Sequence, residues 1–260
     1  MHRLHLFEIE DQTWCPAGLR DAATDFLHLL LWLSNPYAVI IPRLQAALAA
    51  CGTNRVIDLA AGGSGPWPRL LPRLLADDAS IELYLTDKFP NHRAFADFAR
   101  QFPDRVRAVS RPVDAQAVPE DLAGFRTLFT SFHHFPPHVA REVLADAVRR
   151  RQGIGVFEAT RRSLPAILGI LPAPLLALAT APFISPFRWS RLLWTYVLPA
   201  LPVLIAWDGT VSCLRTYTPS ELRALIASVP GAETYVWQVG EEPNPFPRFP
   251  VTYVLGYPRE

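Results

Sequence analysis

Lysine is almost missing from this chain. Lys88 is the single lysine among 25 basic residues, which 24 acidic residues balance to a formal net charge of +1. Phosphate binding draws on concentrated positive charge, so this balance argues against nucleic acid as a partner. Cysteine is also scarce, since Cys15, Cys51 and Cys213 are odd in number and far apart. They form neither a metal-ligand spacing nor a disulfide framework, so no metal is expected and a reducing compartment fits best. The opening MHRLHLFEIEDQTW is too charged and too poor in apolar residues for a secretory signal, which makes a cytoplasmic protein the expectation. Repeats, low-complexity tails and any signal for oligomeric state are lacking. One further absence is local, because no charged residue occurs from Ser163 to Phe187.

What is present is a greasy globular chain of 260 residues, half of them hydrophobic, enough for one large domain with an insertion. Residues 1–52 read as helical after an irregular start. Ser34-Asn35-Pro36 interrupts the pattern and Gly52 stops it. From Arg55 the rhythm changes. RVIDLA, IELYLTD, VRAVSRPVD, FRTLFTSF and GIGVFEA read as strands, with WPRLLPRLLADD, HRAFADFARQF and PPHVAREVLADAVRR as helices between them. Such alternation implies a parallel sheet covered on both faces, with ligands at the carboxyl ends of its strands. Near the end, ETYVWQVG and VTYVLGYP suggest an antiparallel pair. The helix before them starts at Thr218-Pro219.

The uncharged stretch extends, after Arg188 and Arg191, to Trp207, and Pro165, Pro172, Pro174, Pro182, Pro186, Pro199 and Pro202 punctuate it. Proline in a helix interior costs about 3 kcal/mol. Three readings stay open for 163–207: a helical insertion lining an apolar pocket, a surface in peripheral contact with a membrane, or a transmembrane hairpin.

The residues that carry chemistry begin at VIDLAAGGSGPWPRLL. A dinucleotide fingerprint needs a third glycine where Pro68 stands, and a P-loop needs Gly-Lys-Ser/Thr, so both fail. Asp58 at a strand end, followed by Ala60, Gly62, Gly63 and Gly65, instead resembles the first motif of class I S-adenosylmethionine-dependent methyltransferases of the small-molecule type. The resemblance implies that Asp58 helps to hold the amino-acid end of S-adenosylmethionine and that the glycines let the backbone approach it. Asp87 ends the second strand 22 residues after Gly65, where the family binds the ribose hydroxyls. Lys88 and Phe89 follow it, Phe89 against the adenine. Asp114-Ala115 resembles the adenine-binding segment, and Ser131-Phe132-His133-His134 the end of the fourth strand. This likeness covers residues 55–159. The last antiparallel pair also fits the family's seven-stranded sheet.

A small-molecule acceptor of high pKa needs a base, and His133 and His134 are the candidates because histidine titrates near neutrality. Strand alternation would turn one to the pocket and one beneath it. For the acceptor, Trp14, Trp67, Trp189, Tyr196 and Arg215 are the candidate contacts. Pro66-Trp67-Pro68 is expected to distort the helix opening, which would turn Trp67 to the site. Asp208-Gly209 reads as a turn, with Ser212, Arg215 and Tyr217 alternating along a strand or extended edge, so that Arg215 could meet an acidic substrate group.

The expectation is therefore an α/β protein with a Rossmann-like, seven-stranded class I methyltransferase sheet, a helical lid and an apolar helical insertion after strand 5. As one domain it divides into 1–54 (lid), 55–162 (cofactor core), 163–207 (insertion) and 208–260 (end of the sheet). The implied function is methyl transfer to a small, largely apolar acceptor such as a lipid, quinone or specialised metabolite. The alternatives are a nucleotide-dependent oxidoreductase on a doubly wound sheet, or a membrane-associated or non-catalytic protein that retains the fold.

Overall fold

The short apolar runs after Arg55 become strands because both of their faces are covered. Val56, Ile57, Leu83, Leu85, Phe125, Leu128, Val156 and Phe157 are all buried. In the computed structural model, which describes residues 1–77, 80–245 and 249–259, the chain runs α1 (Ala17–Ser34), α2 (Ile41–Ala50), β1 (Arg55–Asp58), α3 (Trp67–Asp77), β2 (Glu82–Leu85), α4 (His92–Gln101), β3 (Val106–Ala108) and β4 (Phe125–Phe129). It continues with α5 (Pro137–Arg149), β5 (Ile154–Glu158), α6 (Leu164–Ile170), α7 (Ala173–Thr180), α8 (Trp189–Leu192), α9 (Ala200–Arg215), α10 (Pro219–Ala227), β6 (Tyr235–Glu242) and β7 (Val251–Pro258). These elements form two compact units, residues 35–159 with 218–260, and residues 1–34 with 160–217.

The first unit holds the expected seven-stranded mixed sheet, in the order β3-β2-β1-β4-β5-β7-β6. The first five strands are parallel, and β7 runs antiparallel to both β5 and β6. Every parallel crossover therefore delivers its following loop to the same edge. α2 belongs to this unit. It ends at Gly52, whose φ of +59° suits the left-handed stop. The entry to α10 is a capping box: Thr218 accepts from the Glu221 N–H, and the Glu221 carboxylate accepts from the Thr218 N–H.

A buried ion pair crosses this core. Arg126, the second residue of β4, donates to Asp146 of α5 at 2.8 Å, and Asp146 also accepts from the Val118 N–H at 3.3 Å. Both side chains are nearly inaccessible.

The second unit is all helical. Cys15, Leu19, Ala22, Ala23 and Phe26 at the start of the chain pack with Ala177, Ile184, Leu201, Leu204 and Ile205. The insertion is α6, α7, α8, a π turn over Leu193–Val197 and the first half of α9; Pro165, Pro172, Pro174, Pro199 and Pro202 fall at or beside helix starts, and Pro182 and Pro186 in the connection between α7 and α8. Among the described residues no single helix is long and apolar enough to cross a membrane. One pair, Trp189–Val197 with Ala200–Arg215, passes on composition but is bent by 83°. Asp208-Gly209 is not a turn, and Ser212 and Arg215 are not on a strand, because α9 runs unbroken through them. Glycine is tolerated in mid-helix here because α6 lies close: a β-carbon at Gly209 would stand 2.9 Å from Ile170.

Breaking the Arg126–Asp146 pair from one side leaves a guanidinium buried and uncompensated. Asp146→Ala should therefore cost about 3–5 kcal/mol of unfolding free energy, read from urea denaturation midpoints.

Candidate active site

Five strand ends of the sheet unit place polar side chains at one edge. Asp58 closes β1, and it is buried. Its Oδ2 accepts from the Trp67 indole N–H at 2.8 Å and its Oδ1 from the Thr127 hydroxyl at 2.9 Å. Both carboxylate oxygens are thus used inside the protein. Burial pushes the Asp58 carboxyl up to about 7, against the pull of these two donors, and the Asp87 charge adds to the rise. Asp58 therefore acts on the loop rather than reaching out from it.

The loop from Leu59 to Pro66 is held from both sides. Ala61 N–H donates to Thr86 O at 3.0 Å, and the Thr86 hydroxyl donates to Asp58 O at 2.7 Å. Gly62, Ser64 and Gly65 all take left-handed backbone angles, with φ of +52°, +80° and +49°. Nothing lies within 4 Å of where a Gly62 β-carbon would stand, so the turn presents bare backbone to its surroundings. Ala60 and Gly63 complete the same turn.

Asp87 follows β2 and is shared between two backbone donors. Gly62 N–H reaches its Oδ2 at 2.9 Å, and Phe89 N–H its Oδ1 at 2.8 Å. A carboxylate has about four acceptor positions, so each oxygen keeps one for a further donor. Burial raises the Asp87 carboxyl, opposed by the N–H groups of Phe89, Gly62 and Lys88 and by His134. The Phe89 ring is exposed beside it. Lys88 pairs with Asp114 at 3.0 Å, and Asp114 also accepts from the Gln116 N–H at 2.9 Å. Burial would raise the Asp114 carboxyl, but the Gln116 and Lys88 donors win and hold it below its ordinary value. Ala115 is buried next to it.

After β4, residues 132–134 turn into one 3-10 segment. The two histidines are therefore not on opposite faces of a strand. Their rings lie side by side, with centroids 4.4 Å apart. Glu158, the last residue of β5, gathers this segment. Its Oε1 accepts from Phe132 N–H at 2.8 Å and His133 N–H at 3.2 Å, and its Oε2 lies 2.8 Å from His133 Nδ1. His133 and Glu158 are both buried, and His134 is half-buried. The Ser131 hydroxyl just before them is buried with no hydrogen-bond partner among the described residues. Beneath the turn, Tyr37 hydrogen-bonds Thr130, and its ring meets Phe129 edge-on at 5.0 Å.

The structure thus brings Asp58, Ala60, Gly62, Gly63, Gly65, Asp87, Lys88, Phe89, Asp114, Ala115, Ser131, Phe132, His133 and His134 to the strand ends and loops of one sheet edge. Trp67 is a correction. It is completely buried, and its N–H is spent on Asp58. Pro66-Trp67-Pro68 does not distort the helix, because Leu70 N–H bonds to Pro66 O and Pro68 sits in the first turn, where no N–H is needed. Arg215 is a second correction. It is buried in the helical unit and bonded to Leu6 O at 2.6 Å, Asp11 at 3.1 Å and Glu8 at 3.2 Å, so its charge is already neutralised there. Trp14, Trp189 and Tyr196 are exposed on that same helical unit. Glu158 was missed, although the signal is present: it is the charged residue that closes the apolar run IGVF, as Asp58 closes β1.

No family model and no curated protein matches the sequence. Solved structures match its fold. The O-methyltransferase NcsB1 from neocarzinostatin biosynthesis, solved with S-adenosylmethionine and 2-hydroxy-5-methyl naphthoic acid, is 17% identical with a TM-score of 0.53, covering 94% of this chain and 59% of its own. The pyocyanin biosynthetic protein PhzM is 17% identical with a TM-score of 0.53, covering 95% and 60%. The methyltransferase domain of bacterial CtHen1 is 12% identical with a TM-score of 0.50, covering 84% and 97%. The chain has the class I methyltransferase fold, and it spans about three fifths of the length of NcsB1 and PhzM.

Asp58 carries a pH test. Unfolded, it releases its proton near its ordinary value of about 3.9, whereas folded it holds the proton to about 7. Its contribution to stability is therefore fully present below about pH 4 and is lost as pH rises to about 7. Asp58→Asn should flatten the fall of unfolding free energy across that window, measured by urea titration at stepped pH.

Proposed function

We propose that this protein transfers the methyl group of S-adenosylmethionine to a small, largely apolar acceptor. The observation that carries the reading is Asp87. It stands at the end of β2 with both oxygens anchored by N–H groups, one from the glycine turn, and each oxygen retains an acceptor position. Two neighbouring acceptors are what a ribose diol, donating from both hydroxyls, needs. The bare backbone at Gly62 and the exposed Phe89 ring fit the rest of the cofactor. NcsB1, of the same fold, was solved with that cofactor.

When bound, S-adenosylmethionine supplies a methyl group on a sulfonium, ready for in-line displacement. This chain's residues do the positioning, which in such a reaction carries much of the rate. Asp58 and Trp67 fix the glycine turn. Asp87 would hold the ribose hydroxyls, Phe89 the adenine face, and Asp114 the adenine amino group. Glu158 fixes the His133 ring and favours a proton on Nδ1, which leaves Nε2 as the basic nitrogen. His133 would take the acceptor's proton there, with the His134 ring tilted beside it. The greasy composition of the chain, half of whose residues are hydrophobic, supports an apolar acceptor such as a lipid, quinone or specialised metabolite.

Titration calorimetry tests this reading. S-adenosylhomocysteine should bind and NADH should not, and the reverse result would replace methyl transfer with a nucleotide-dependent oxidoreductase. Asp87→Ala should weaken S-adenosylhomocysteine by about 1–3 kcal/mol, the cost of losing a charged hydrogen-bonding partner. Once an acceptor is in hand, His133→Ala should lower kcat by about 100-fold or more at neutral pH, with little change in cofactor affinity.

A further inference from the structure

Among the described residues, every exposed large apolar side chain except Phe89 belongs to the helical unit. Leu164, Leu168, Leu171 and Leu175 are each more than half exposed and recur at spacings of four, three and four, which makes one stripe along α6 and α7. Phe183, Trp189 and Val197 follow, at 84%, 78% and 71% exposure. Water does not tolerate such a concentration of exposed apolar surface without a partner.

We infer that this face docks on the surface of a lipid bilayer. Three observations choose lipid over another protein. First, polar groups of the insertion are turned back onto its own backbone: the Thr180 hydroxyl donates to Leu176 O, Thr195 to Arg191 O, and Tyr196 to Leu178 O. A protein interface of standard size offers side-chain donors and acceptors to its partner, whereas a lipid surface requires that they be satisfied internally. Second, the charges inside the stretch are drawn inward. Arg191 is fully buried and bonds Asp25 at 2.6 Å and Ala181 O at 2.8 Å, while Arg188 bonds Asp25 at 2.9 Å. Third, no charged residue occurs from Ser163 to Phe187, so the leucine stripe offers a protein partner no charge to pair with and a bilayer none to desolvate.

The bend of 83° between Trp189–Val197 and Ala200–Arg215 makes the docking interfacial rather than spanning. Exposed aromatic residues at Phe183, Phe187, Trp189 and Tyr196 suit the headgroup level, where their rings are enriched. This inference stands apart from the methyl-transfer reading, since lipid docking requires neither the cofactor nor the sheet-edge residues.

The test is flotation of the full chain with phosphatidylcholine vesicles, with and without phosphatidylglycerol. The protein should rise with both. Leu171→Asp combined with Leu175→Asp should lower the partition coefficient by about tenfold or more while leaving S-adenosylhomocysteine binding unchanged. Should that variant fail to fold, quenching by brominated lipid provides a second readout: tryptophan fluorescence of the wild type should be quenched, and less so after Trp189→Phe. Absence of flotation with either vesicle overturns the inference. So does flotation that the two aspartates leave unchanged. Sedimentation showing a dimer that does not bind vesicles also overturns it, because a second copy would then cover the face.

Discussion

The Asp58 carboxylate sits where β1, β4 and α3 meet, and the loop geometry depends on its two hydrogen bonds. Trp67 reaches back from the first turn of α3 to one oxygen, and Thr127 of β4 reaches across to the other. Its main-chain oxygen accepts from Thr86 after β2. Three elements are thereby fixed around one buried acid, and the glycine turn is strung between them. A buried carboxylate without partners would cost several kcal/mol, so the arrangement is self-enforcing: loosening the loop exposes the cost. Asp87 then anchors the turn from the far side through Gly62.

Much of this was legible from sequence, and for a physical reason. Parallel strands buried on both faces read as apolar runs, and the residues that end them stand out because they are polar. Asp58, Asp87 and the histidines were visible on that basis. The antiparallel ending was visible because β6 and β7 are long and aromatic. What could not be read was direction. Trp67 is aromatic and next to glycines, which suits a pocket as well as a core, and only the placement of Asp58 decides between them. Arg215 illustrates the same limit, since its partners Leu6, Glu8 and Asp11 lie some two hundred residues away in sequence. Glu158 closes its apolar run as Asp58 does, but no glycine turn follows it to mark the acid as part of a site.

The apolar insertion misled in a different way. Its hydrophobicity continues past Trp207 with no change of composition at the end of a helix, so Asp208-Gly209 looked like punctuation. Asp208 is instead buried and accepts the Ile9 and Glu10 N–H groups at 2.7 and 3.0 Å, which ties the leading segment to α9. Arg215 and Trp207, whose indole bonds Phe7 O at 3.0 Å, bind the same segment. These polar residues serve the fold, while many large apolar side chains of the unit stand on its surface.

Gly209 gives that surface its shape. With only hydrogen at this position, the Ile170 side chain settles against the α9 backbone, and α6 packs close on α9. The missing methyl thus acts as a shim removed: it lowers the platform on which the α6 and α7 leucines ride. A side chain there would press on Ile170 and force that side chain, or α6 with it, to move outward.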